Sequence, residues 1–356
     1  MQHFIKQGFL AALCIVIAAC QQKQPVQAAA TIVDVPVNAE QGGALSGGPV
    51  LPALPVPKAD VLKGTDWPAI ALTSGEASID CQIDAVEGRG GVPLTDLSYA
   101  SVLAAVATCE KPGILRLHYQ GKIATDFTAL VERVGNIAQR FDIPSRLLDL
   151  DSSGGHVEDA MKAGDAIGAS QWKIRVAADA ICHSACVLIL AAGDDRQVDG
   201  KVGIHRMIRI DSKATSRAEL SQELREVYAQ MKDYLERNGA SVAVADLMMT
   251  VPNRKLRVLT PDELLAYGLD GTNAVQDDLE RIQLTRKCGE DFVRRKDDFT
   301  RAFERSCQLP QTTSEAMDAC GLALRADLGF PDGRCPTESP LSRHDRDDAA
   351  ASAGSE

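Results

Sequence analysis

The stretch that decides the fold is Leu147-Leu148-Asp149-Leu150-Asp151-Ser152-Ser153-Gly154-Gly155-His156-Val157-Glu158-Asp159-Ala160. Leu147 to Leu150 reads as a strand that runs into a Gly-Gly turn, and Val157 to Ile167 has helical spacing behind it. Upstream, Ile114 to Tyr119 alternates as a strand. Thr125 to Gln139 then places Phe127, Leu130, Val131, Val134 and Ile137 on one side of a helix. Downstream come a short strand, Ile174 to Ala178, the cluster Cys182-His183-Ser184-Ala185-Cys186 and the apolar run Val187 to Ala192. Val202-Gly203-Ile204-His205-Arg206 follows. Repeated β–α units of this length predict an α/β fold: a mostly parallel sheet with right-handed crossovers, covered by helices.

Composition agrees with an aliphatic α/β core. Hydrophobic residues make up 45% of the 356, and aromatic residues only 4%. The formal charge is −11, and no basic patch interleaves with aromatics. Nucleic acid is therefore not a predicted partner, and neither are anionic lipid headgroups bound through charge.

The first residues give an address. Lys6 precedes an apolar run, Phe9 to Ala19, which is shorter than the ~20 residues a spanning helix needs. It has the form of a secretory signal. The run ends Ile17-Ala18-Ala19-Cys20 and resembles the lipobox of bacterial lipoproteins, in which the cysteine is acylated and becomes the mature N-terminus. The alternative is an ordinary signal with a chance cysteine after it. The resemblance implies a signal peptide over 1–19, a lipid on Cys20, and a protein held in the cell envelope facing the periplasm. Gln21, where an aspartate would favour the inner membrane, points to the outer one. Residues 20–65 then form a lipidated tether, rich in Ala, Pro, Val, Gly and Gln, too poor in periodic apolar residues to fold. A flexible chain of that length reaches roughly 35–40 Å. Residues 342–356 are polar and acidic and read as a disordered tail.

Eight cysteines remain beyond Cys14 and Cys20: Cys81, Cys109, Cys182, Cys186, Cys288, Cys307, Cys320 and Cys335. An even set in an oxidising compartment predicts disulfides, and none has the C-x-x-C spacing of a zinc ribbon or thioredoxin centre. The last four lie in a Cys-rich helical appendage, residues 276–341. There Leu279, Ile282, Phe292, Val293, Phe299 and Phe303 offer an inward face, and two bridges have three connectivities. On a helix, Cys182 and Cys186 would stand about 6 Å apart at i, i+4, near the upper end of disulfide range. Zinc held by these two with His183 or His205 is the rival reading. No metal and no cofactor is predicted, and no G-x-x-x-x-G-K-[ST] nucleotide loop occurs.

The order Ser152-Ser153-Gly154-Gly155-His156-Val157-Glu158-Asp159-Ala160, then Ser184 opening a helix, then Gly203-Ile204-His205, resembles the Clp protease/crotonase-like superfamily, in particular its secreted Clp-like branch. The likeness covers residues 113–275 as a core, with 66–112 as an N-terminal extension. It implies Ser184 as nucleophile, His205 as general base, and the amides of Gly155 and Ala185 as an oxyanion hole. It also makes Ser216 to Asn238, with Leu220, Leu224, Val227, Met231 and Tyr234 on one stripe, the handle helix that packs between subunits of a homo-oligomer. Thr260 to Leu269 corresponds to the segment that closes the core. Two positions depart from the pattern. Ser153 replaces the proline before the glycines, and Lys255 stands about where the third catalytic residue, an aspartate, belongs. Asn253 and Asp246 are the candidates for that role. Two functions follow: an ATP-independent serine peptidase or hydrolase acting on peptides or unfolded chains, or a catalytically inactive Clp-like lipoprotein that binds or scaffolds.

Overall fold

A computed structural model describes residues 67–82, 91–309, 313–342 and 344–345. The signal segment, Cys20 and the 20–65 tether lie outside the described residues, as does most of the 342–356 tail. The chain divides into two units at Ala59/Asp60, and the described residues belong to the second. Among the described residues no helix is long and apolar enough to cross a membrane.

The sheet grows from one long strand. β4 (Ser145–Gly155) alternates buried and half-buried positions along most of its length, so Leu148, Leu150 and Ser152 point into the core while Asp149 and Asp151 do not. β3 (Ile114–Ile123) lies parallel beside it, with Leu117 opposite Leu148 and Ile123 opposite Gly155. On its other edge β4 forks. Leu147–Asp149 pair with β5 (Lys173–Val176), whereas Ser152 pairs with Cys182 of β6 (Ile181–His183). Asp151 pins the fork, because its Oδ1 accepts the Ile181 amide at 3.0 Å.

Each prong adds strands in order. β5 pairs in parallel with β7 (Asp195–Val198), and β6 with β8 (Lys201–Ile204). The antiparallel pairings sit at the margins. β1 (Gly75–Asp80) joins β3, with β2 (Val92–Pro93) outside it, β9 (Arg257–Val258) joins β8, and β10 (Gly271–Thr272) joins β7. The ten strands found among the described residues thus form one sheet with a parallel centre, as the β–α repeats predict.

Helices bury the apolar face. α2 (Thr125–Arg140) packs between α1 (Tyr99–Ala107) and α3 (Val157–Gly168), and α3 packs on α4 (Cys186–Ala191). Leu115, Leu117, Phe127, Leu130, Val134, Leu148 and every residue of α4 are buried, each apolar side chain contributing roughly 1.5–3 kcal/mol. β4 runs further than predicted, through the Gly-Gly pair, because β3 and β6 both pair with its second half.

α5 (Arg217–Arg237) is the predicted long helix, capped at Ser216 by a hydrogen bond from the Glu219 amide. Its buried residues are Val227, Met231, Tyr234 and Leu235, while Leu220 and Leu224 stay half-buried. Tyr234 Oη donates to the Leu188 carbonyl of α4 at 2.6 Å. α6 (Ala243–Thr250) follows, and α7 (Pro261–Ala266) starts with a capping box between Thr260 and Glu263 and proline in its first turn.

α8 (Ala274–Cys288), α9 (Glu290–Ser306) and α10 (Ser314–Asp327) gather a second, smaller cluster around Phe292, Val293, Phe299 and Phe330. Disulfides Cys288–Cys335 and Cys307–Cys320 close it, which selects one of the three connectivities. Leu279, expected to face inward, is 45% exposed, since this cluster draws on α8 only near its C-terminal end. Cys81–Cys109 ties the end of β1 to the turn after α1.

The opposite sheet face is charged. His118 Nε2 meets Asp80 Oδ2 at 2.6 Å and its Nδ1 meets Asp149 Oδ2 at 2.9 Å, while Arg175 Nε reaches Asp149 Oδ1 at 2.8 Å. Arg116 Nε also holds Asp149, at 2.5 Å. The hydrogen bond to Asp149 raises the His118 pKa, with burial opposing it and Asp80 adding to the rise. Burial alone would push Asp149 up, yet His118, Arg116 and Arg175 together bring it down to about 2. The signs follow by linkage. Asp149 contributes stability above its unfolded value, lost as pH falls through about 2. His118 contributes below its unfolded value of 6.5, lost as pH rises through its elevated folded value. Asp149→Asn is therefore expected to destabilise by about 3 kcal/mol at pH 6, as removal of one partner from a buried ionic set does. His118→Gln is expected to flatten the decline in stability above pH 6.5. Urea unfolding from pH 2 to 9 checks both, and wild-type profiles in both variants would remove the network from the stability account.

Candidate active site

Two neighbouring parallel strands end together, with His183 of β6 opposite Gly203 of β8. Ser184 and His205 lie just past those ends, so the topology brings the sequence-predicted pair to one edge of the sheet. Ser184 donates its amide to the Gly203 carbonyl at 2.8 Å and sits at φ 57°, a left-handed conformation that costs a non-glycine residue roughly 1–2 kcal/mol. The helix behind it starts at Cys186, two residues later than the sequence reading placed it, because the left-handed Ser184 makes the strand-to-helix bend. Both the serine and the histidine are half-buried.

Cys182 and Cys186 bracket this bend. They are joined to each other, with Cα atoms 5.2 Å apart, and both are fully buried. The expected helical i, i+4 geometry is corrected, since Cys182 belongs to the strand and only Cys186 to the helix. The zinc alternative goes with it, because both thiols are spent. Among the described residues no group of three or more His, Cys, Asp or Glu side chains is placed to hold a metal.

The Gly-Gly turn presses on the bend. Gly154 has φ 96°, and a Cβ there would fall 2.6 Å from the His183 carbonyl and 2.7 Å from Ser184 Cβ. Gly155 leaves no room either, with the Ile123 carbonyl 2.0 Å from an added Cβ. Only glycine fits such a close approach. The His156 amide donates to the Ile123 carbonyl at 2.9 Å. Successive strand amides point to opposite edges, so the Gly155 amide points away from β3, toward the side where β6 pairs. The Ala185 amide, 3.1 Å from where a Gly154 Cβ would lie, meets no acceptor among the described residues.

His205 Nδ1 lies 3.0 Å from the Arg206 carbonyl. A carbonyl only accepts, which infers a proton on Nδ1 and leaves the Nε2 lone pair available as a base. Asn253 Nδ2 donates to the same carbonyl at 2.9 Å and stands 3.3 Å from His205 Nδ1. Arg206 is fixed in turn by its amide on the Val251 carbonyl, 2.8 Å, and its Nε on the Met249 carbonyl, 2.9 Å. Asn253 thus reaches the histidine through the carbonyl that orients it. Asp246, weighed for the third position, does not. It accepts from Tyr228 Oη on α5. The orienting group itself, the Arg206 carbonyl, was missed in the sequence, since a backbone atom leaves no side-chain signature there.

Among the described residues the Ser184 hydroxyl makes no hydrogen bond, to His205 or to any other group. His183 packs over Gly203, with Cδ2 2.8 Å from an added Cβ. Its Nε2 is buried without a partner. Burial and then the proximity of His205 lower its pKa. His156, after the turn, bonds Asp159 Oδ2 at 3.0 Å. With Gly155, Ser153, Ile181 and Ile210 it lines a cavity of about 660 Å³.

No protein-family model and no curated protein matches the sequence. Among solved structures the chain is similar to a serine-to-alanine mutant of the 1510-N membrane-bound stomatin-specific protease. The TM-score is 0.36 and the identity 20%, over 46% of this chain and 81% of that one.

Ser184→Gly is expected to be more stable than Ser184→Ala by about 1 kcal/mol, because glycine adopts the left-handed bend freely. Thermal unfolding of the two variants compares them directly. Equal stability would mean that the bend is relaxed in the alanine protein.

Proposed function

We propose that this chain is an ATP-independent serine hydrolase acting on peptides or unfolded polypeptides. The observation that carries the reading is the left-handed Ser184, bent outward between strand and helix with the unclaimed Ala185 amide behind it. A strained serine at a strand-to-helix turn presents its Oγ to a carbonyl while the following amide faces the oxyanion. In this reading Ser184 attacks, His205 Nε2 takes its proton and returns it to the leaving amine, and the Ala185 and Gly155 amides hold the oxyanion. Losing one such donor costs about 3–4 kcal/mol of transition-state stabilisation.

The Arg206 carbonyl supports this chemistry only in part. It selects the tautomer with Nε2 free, the function whose loss is so damaging in serine triads. As a neutral acceptor it stabilises the imidazolium less than a carboxylate would. A slow enzyme is the consequence, and the Ser184 side chain must rotate toward His205 when substrate enters.

A second reading, a catalytically inactive binding or scaffolding protein, is favoured by the missing hydrogen bond between Ser184 and His205. A fluorophosphonate probe separates the two. The wild type is expected to be labelled, Ser184→Ala not at all, and His205→Ala at least a hundredfold more slowly. Absence of labelling in the wild type would exclude the hydrolase.

We also propose that Cys20 carries the lipid that holds the protein at the envelope, outer membrane favoured, facing the periplasm. Four disulfides support an oxidising compartment. Assembly into a homo-oligomer through α5 belongs to the same proposal and rests on its half-buried Leu220 and Leu224. Cys20→Ser is expected to lose incorporation of labelled palmitate and to move from the membrane to the soluble fraction. Retention in the membrane fraction would overturn the anchor.

A further inference from the structure

A second cavity, of about 610 Å³, opens on the charged face of the sheet. Its walls come from different parts of the chain. Leu72 and Leu94 belong to the N-terminal extension, and Ala177 and Ala180 to the core. Gln120 and Asp151 line both this cavity and the one beside Gly155, so the two are neighbours along β3. Side by side they follow β3 from His118 to Ile123, and the second reaches the Gly-Gly turn at Gly155. From His118, at the far end, to Ile123, opposite Gly155, β3 takes five steps, about 16 Å at the rise of a strand. An extended peptide of about five residues spans that distance.

The charges in the far cavity are unevenly spent. His118 and Arg175 are held by Asp149, and His118 also by Asp80. Asp151 uses one oxygen on the Ile181 amide and the other on Gln120 Nε2, at 2.7 Å. Glu76 on β1 and Asp179 after β5 face the same cavity from opposite sides, and among the described residues neither side chain has a bonding partner. With Asp149 and Asp151, the lining carries four carboxylates against the Arg175 guanidinium and the His118 imidazole, with Arg116 also spent on Asp149, and a concave wall concentrates the remaining field.

We infer that this cavity is a specificity pocket for a basic side chain of the substrate, held about five residues from the bond that Ser184 attacks. The inference rests on the hydrolase reading for its second half only, because binding is measurable without turnover. Apolar walls suit the methylene stem of a lysine or arginine, and the two rim carboxylates suit its charged head.

The test uses the full-length Ser184→Ala protein and fluorescent decapeptides with a single lysine, or a norleucine, moved through each position. Fluorescence anisotropy is expected to show at least fivefold tighter binding for lysine at one position, a preference that shrinks as salt rises. The double variant Glu76→Gln, Asp179→Asn on the same background should erase the preference and leave the norleucine peptides unchanged. Equal binding of lysine and norleucine peptides, no binding of either, or a preference that survives the double variant would each overturn the pocket. Cleavage by the wild type is scored in parallel. Lysine-selective binding without cleavage retires the hydrolase and keeps the pocket, whereas cleavage without selectivity does the reverse.

Discussion

β4 is longer than any strand available to pair on its outer edge, and that mismatch organises the molecule. Eleven residues face a four-residue β5 and a three-residue β6. The edge is therefore shared, and the Asp151 carboxylate on the Ile181 amide holds the division in place. A buried amide at such a junction must find an acceptor, and the side chain supplies it where no strand carbonyl is in register. Everything downstream of the fork on the β6 prong, including the serine bend, β8 and the histidine, depends on that single branch point.

The bend stays in place because several weak restraints act on one residue. Left-handed serine costs roughly 1–3 kcal/mol. The Cys182–Cys186 bridge closes a loop short enough to contribute only about 2 kcal/mol by restricting the unfolded chain. The amide of Ser184 on Gly203 adds about 1 kcal/mol more. These terms roughly cancel, so the decisive restraint is packing. Every residue of α4 is buried. Its C-terminal carbonyls are also held from a distance, since Tyr234 takes Leu188 and the buried Arg196 takes Leu190 and Ala191. A helix fixed at its far end cannot swing to relax the residue at its near end.

The parts of this arrangement that sequence shows are the periodic ones. β3, α2, β4, α3 and α5 stand out because each buries a regular face over six or more residues. β9 and β10 are two-residue margins whose existence depends on a neighbour being there, and Asp194-Asp195-Arg196, charges that read as a solvated loop, instead lead into β7 with Arg196 buried. Ser184 as a left-handed residue is invisible in sequence, since nothing in its type announces φ, and a helix cap was the natural reading. The His118–Asp149 contact is equally hidden. It exists only because the β3–β4 register puts those two residues side by side, and register is a property of the pair of strands.

The same distinction bears on the chemistry. A catalytic aspartate would be a sequence-level feature, and Lys255 stands about where it belongs. Beside His205 lies a backbone carbonyl, that of Arg206, whose position is secured by three other contacts, from the amide of Arg206, its guanidinium and Asn253. Any residue at position 206 would present such an oxygen, but its position here depends on arginine, whose guanidinium is held by the Met249 carbonyl. Its precision then resides in Asn253 and in the carbonyls of Met249 and Val251 at the end of α6. In the proposed reaction the His205 imidazole would become a cation, and this carbonyl adds no negative charge beside it, while burial and then the proximity of His205 lower the pKa of His183 next door. The proposed base is thus oriented with little electrostatic assistance from its neighbours. In the proposed hydrolase, rate would come from positioning and from the proposed oxyanion amides, the two contributions on which the Gly-Gly turn and the serine bend converge.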